Sequence, residues 1–181
     1  MPENERANGM KRILFLVTAL LMVFSFNISS AQNVKIDQEL RGLARNIWKY
    51  SDELQSIQND LVSIAQAETV KSYKKASLIL DLADDVERTE TIMQYEFFIL
   101  VTKPFIDEDK MKPYCQHIFH TLEYSMMQIN SFHKHLQDIY DLVENKAALH
   151  SADKAKKIIK DSLTEIESTS TFLDNAIKAM P

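Results

Sequence analysis

Glycine and proline are scarce in this 181-residue chain, at two and four residues, and that scarcity decides the fold class before any pattern is counted. Tight β-hairpins need glycine or asparagine to reach positive φ, and repeated turns need many such residues. A β-sandwich or barrel is therefore excluded. So are the glycine-spaced loops that cradle phosphates, bind dinucleotides or carry an exposed nucleophilic serine. Cysteine occurs once, as Cys115, so no internal disulfide staples the fold, and covalent haem attachment lacks its second thiol. A basic excess is missing as well. The chain has 21 Lys and Arg against 26 Asp and Glu, a net charge of −5, which gives nucleic acid no electrostatic footprint.

Long apolar runs are limited to Ile13 to Phe26, short of the roughly 20 residues that a membrane-spanning helix uses. Lys11 and Arg12 precede this run, while Ser29 and Ala31 occupy the small-residue positions of a peptidase site. The pattern predicts a signal peptide over 1–31, cleaved before Gln32, with Met10 as a second candidate start. It leaves a single helical domain over 32–181, exported to the periplasm or the exterior of a bacterium, with no membrane span after cleavage.

Apolar residues at helical spacing fill the rest. Ile36, Leu40, Leu43, Ile47, Tyr50, Leu54, Ile57, Leu61 and Ile64 alternate steps of four and three, the signature of a helix that packs along a seam. A second heptad runs through Cys115, Ile118, Leu122, Ser125, Ile129, Phe132, Leu136, Ile139 and Val143. Two further stripes comprise Tyr73, Ala76, Ile79, Leu80, Ala83, Val86, Met93, Phe97 and Leu100, and Ile159, Leu163, Ile166, Ser170, Leu173, Ile177 and Met180. The expected fold is all-α, an antiparallel four-helix bundle with helices over 33–66, 69–102, 109–145 and 151–179. The first turn is placed at 67–69. Pro104 ends the second helix, and Ser151 caps the fourth. Gly42 falls off the seam, and Trp48 covers the bundle's flank.

Chemistry-bearing residues are weighed against this frame. Asp81, Asp84, Asp85, Glu87 and Glu90 crowd the middle of the second helix but lack a calcium loop's glycine and terminal glutamate, and read as a solvated face. All five histidines lie between 117 and 150. His117, His120 and Glu123 share a row that points away from the seam, and none of the five sits in a Glu-x-x-His pair as a di-iron bundle requires. No metal, cofactor or catalytic residue is expected, and Cys115 reads as an inert buried thiol. One further row stands out on the third helix, Phe119, Met126, His133 and Tyr140, seven residues apart and one position past the seam. It either widens the core face or forms an open groove for another helix. The functional expectation is an exported, non-catalytic interaction or accessory protein of the cell envelope, binding a protein partner or itself. The alternative is a bundle that holds a small apolar molecule or haem between its helices.

Overall fold

The computed structural model describes residues 31–101 and 110–180, all but a few of them helical. Residues 1–30 of the expected signal segment and Pro104 lie outside the described residues, and the expected cleavage junction, Ala31 to Gln32, falls at the start of the first helix. Among the described residues four helices follow one another: α1 (Ala31–Thr69), α2 (Tyr73–Val101), α3 (Met111–Tyr140) and α4 (Lys146–Ala179). Among the described residues no helix is long and apolar enough to cross a membrane.

The α1 heptad is the core it promises. Ile36, Leu40, Leu43, Ile47, Leu54, Ile57 and Leu61 are buried, and Tyr50 and Ile64 are packed against them from the edge. The helix runs past the expected turn to Thr69, whose hydroxyl bonds back to the Ala65 carbonyl at 2.9 Å within the last turn. The turn is Val70–Ser72. The amides of Lys71 and Ser72 both donate to the Glu68 carbonyl, and Ser72 Oγ accepts from the Lys75 amide at 3.4 Å. The Glu68 carbonyl at the end of α1 and the Lys75 amide at the start of α2 are thereby satisfied.

On α2 the expected stripe needs correction at both edges. Ile79, Leu82, Ala83, Val86, Met93, Phe97 and Leu100 are buried, whereas Tyr73 and Leu80 are exposed. Leu80 follows Ile79 by one residue and so points about 100° away from it, which carries its side chain off the face. The acidic cluster is not wholly solvated either: Asp85 and Glu90 are buried, while Asp81, Asp84 and Glu87 face water.

α3 stops at Tyr140, five residues short of expectation, and α4 starts five residues earlier than expected. Asn145, in extended conformation at φ −76° and ψ 113°, accepts from the amides of Ala147 and Ala148 at 3.0 and 3.1 Å and is the cap that Ser151 was expected to be. A good cap followed by alanines, the best helix formers, starts the helix at once. Ser151 is instead buried within α4.

The helices pack in a ring, α1 on α2, α2 on α3, α3 on α4 and α4 on α1. Trp48 meets Phe97 at 5.0 Å between centroids, and Gln58 reaches Glu87, so α1 and α2 run in opposite directions. Tyr140 to Asp153 and Gln137 to Lys156 give the same antiparallel order for α3 and α4. One continuous apolar cluster joins all four helices.

Candidate interaction site

The row at Phe119, Met126, His133 and Tyr140 lies on the flank of α3 that faces α4. Phe119, Met126 and Tyr140 are half-buried and packed against the core, and His133 is half-buried. Tyr140 Oη donates to Asp153 Oδ2 at 3.1 Å, and the Lys156 ammonium sits 3.6 Å above the centre of its ring. Burial, reinforced by Lys156 and Lys160, holds the His133 imidazole below its ordinary value. A position one residue past a bundle seam points toward the neighbouring helix, which is why α4 side chains meet this row.

A different surface is more open, and the stripes did not announce it. Both short connections, Val70–Ser72 and 141–145, come to the same end of the bundle. Lys75 Nζ meets Glu144 Oε2 at 2.7 Å there, and Asn145 Nδ2 donates to Glu68 Oε2 at 3.2 Å. Each member of the Lys75–Glu144 pair stabilises the other's charge, raising the lysine's pKa and lowering the glutamate's. Both are solvent-exposed, so the pair orients the connections more than it stabilises them. Beside this pair opens a cleft of about 300 Å³ with Leu78, Ile79, Leu142 and Val143 among its walls and Lys74 and Lys75 on its rim. Around it Val70 is 91% exposed, Tyr73 80% and Leu142 63%.

Three large apolar side chains exposed in or beside turns at one end of the bundle, where polar residues normally sit, are a feature of the kind that marks interaction surfaces. The signal was present in the sequence as Val70 and Leu142 at turn positions, but neither turn could be placed closely enough to use it. Charge frames the same end. α2 and α4 both begin here with lysines and without an acidic residue in the first turn, and the carboxylates at this end come from Glu68 and Glu144 in the flanking residues.

The remaining sequence candidates are scattered. His117 is exposed; His120 is also exposed, with Nδ1 at 3.5 Å from Glu123 Oε2. His135 lies at the exposed edge of the α2–α3 interface, its Nδ1 2.7 Å from the buried Asp85 carboxylate. Cys115 is buried. Among the described residues no three His, Cys, Asp or Glu side chains converge as metal ligands would. Comparison with known protein families, with characterised proteins and with solved structures finds no match.

Proposed function

We propose that this protein is an exported interaction module of the bacterial cell envelope, a helical bundle that binds a polypeptide partner through the cleft end rather than carrying out catalysis. Export rests on the pattern of Lys11, Arg12, the apolar run from Ile13 to Phe26 and the small residues Ser29 and Ala31. The observation that carries the binding reading is the exposure of Leu142 on the wall of a cleft that Lys74 and Lys75 also line, with Val70 and Tyr73 exposed at the turn of the same end. The shape and charge suit a partner segment that inserts one or two apolar side chains and sets a carboxylate beside the lysines. The row at Phe119, Met126, His133 and Tyr140 offers the next candidate surface, with its outer edges still in water.

Replacing Tyr73 and Leu142 together by Ser tests this. Both side chains are exposed, so the variant should keep its helix content and melting midpoint. Capture of envelope proteins and sedimentation velocity are then compared for the two forms. The expected result is a specific partner, or a dimer, that the wild-type protein holds and the variant loses. A monomer that retains nothing, or a partner held equally by both forms, refutes the reading. Intact-mass measurement of exported protein tests the compartment: a chain beginning at Gln32 is expected, and retention of residues 13–26 contradicts it.

A further inference from the structure

Two carboxyl groups of α2 meet α3 out of water, Asp85 and Glu96, and Glu90 is a third buried carboxyl on the same helix. Glu96 is 0% exposed, at the middle of the bundle. Ser125 Oγ donates to its Oε1, and Oε2 has no hydrogen-bond partner among the described residues. An ionised carboxylate in this setting lacks the two or three donors, or the cation, that normally accompany buried charge. The polar side chains near it are short: Ser125 occupies a heptad position of α3, and Ser51, Thr169 and Ser170 are buried on α1 and α4 within about a turn of this level.

About three helical turns further along the same face, Asp85 is 2% exposed and is tied to His135 of α3. Between them Thr89 is buried with its hydroxyl bonded back to the Asp85 carbonyl at 2.9 Å. The interface thus reads Asp85, Thr89 and Glu96 from α2 against His135 and Ser125 from α3. The opposite face, α1 against α4, is tied by surface contacts instead, Tyr50 to Glu165 and Lys35 over Phe172.

We propose that the α2–α3 interface is a proton-dependent latch: closed while Glu96 is protonated, and loosened when it loses its proton, so that the α1–α2 and α3–α4 hairpins part along this face. The protonated carboxyl of Glu96 is neutral and suits its apolar surroundings. Its ionised form requires water, which reaches Oε2 only if α2 and α3 separate. Burial accordingly pushes the Glu96 carboxyl up from 4.5 to about 7, with the Ser125 hydroxyl pulling weakly the other way. Burial raises Asp85 too, against the opposing pull of His135 and Arg88 and with help from Asp84.

Other charged groups leave Glu96 alone. Toward its level α1 carries Lys49 and Glu53, which face each other at the surface, α4 carries Glu165, which accepts from Tyr50, and α3 carries Glu123, which faces His120. On α2 itself Glu90 accepts from Gln94. Around Asp85, Arg88 pairs with Asp84 at 2.7 Å, and Asp60 of α1 and Lys157 of α4 are exposed. The sign follows from linkage. A carboxyl whose folded-state value is raised contributes stability in full below its ordinary range and loses it as pH climbs through the raised value.

Urea unfolding of the purified protein between pH 5 and 8.5, with amide-exchange protection factors at both ends, tests the latch. The unfolding constant should rise by roughly 10- to 300-fold over this span on account of Glu96. Protection should fall first in α2 and α3 peptides that face each other. Glu96→Gln, which fixes the neutral form, should remove most of the rise. Ser125→Ala takes away the one donor to the carboxylate and should steepen and extend it, which keeps the test open if the Gln variant folds poorly. A wild-type profile that runs parallel to that of Glu96→Gln, an unaltered slope in Ser125→Ala, or protection lost evenly over all four helices overturns the proposal.

Discussion

Tyr50 of α1 donates its hydroxyl to Glu165 of α4 at 2.7 Å, a bond between residues 115 apart in sequence that ties the first helix to the last. The ring occupies a heptad position and rests on the core, while the hydroxyl stays at the edge where it meets the carboxylate. Burial first, then this hydrogen bond to Glu165, raises the phenol far above its ordinary value. Tyr50→Phe keeps the packing and removes the bond. The expected loss is about 1 kcal/mol in urea melts, since one partner is charged but the site is partly wet.

Leu54 lies fully buried at the middle of α1. Truncation to Ala removes its methyl groups and leaves a cavity that four packed helices cannot collapse, so about 2 to 5 kcal/mol should be lost. A loss under about 1 kcal/mol would mean that the seam does not behave as a core.

Gly42 sits inside α1 with nothing within 4 Å of where a β-carbon would stand. Nothing in the packing requires it. Gly42→Ala should therefore raise stability by about 0.5 to 1 kcal/mol, through the smaller backbone entropy that alanine loses on folding. The melting midpoint reports the gain.

Cys115 is buried at the start of the α3 seam, among the side chains of the common core. A thiol reagent should label it slowly in the native state and quickly in denaturant, because only an exposed thiolate attacks. Rapid native labelling would show that the first turn of α3 opens readily.

Met126 packs on the core from the α3–α4 flank, and Tyr140 is held by Asp153 and Lys156. Made separately, Met126→Glu and Tyr140→Glu should each cost about 1 to 3 kcal/mol, because each places a carboxylate against partly apolar surroundings. Stability unchanged in both, with loss of association, would instead assign this row to partner binding.

The parts of this fold that were legible in the sequence are those where one physical demand acts alone. Heptad spacing along α1 and α3 encodes burial and little else, so nearly every residue named from it is in or against the core. α2 was misread at Leu80, Asp85 and Glu90, because its face combines apolar packing with polar contacts across to α3, and a carboxylate carries no mark of the partner that lets it be buried. Glu96 was missed for the same reason. The turns were displaced by a few residues because neither contains glycine or proline, and Thr69 and Asn145 took roles that several neighbouring polar residues could have filled. The cleft end depended on those turns, and its apolar residues became a site only once both connections were seen to meet.

The turn at Val70–Ser72 joins the two helices that share the most extensive contact in the molecule. Pairs such as Gln58 with Glu87 and Trp48 with Phe97 close loops of a few dozen residues, whereas Tyr50 must find Glu165 across most of the chain. Entropy favours the shorter closures, so the α1–α2 and α3–α4 hairpins are expected to form ahead of the docking of α4 onto α1. A nascent chain emerging N-terminus first can therefore bury its longest seam while α3 and α4 are still being made, which limits the time during which α1 offers a bare apolar stripe to other chains.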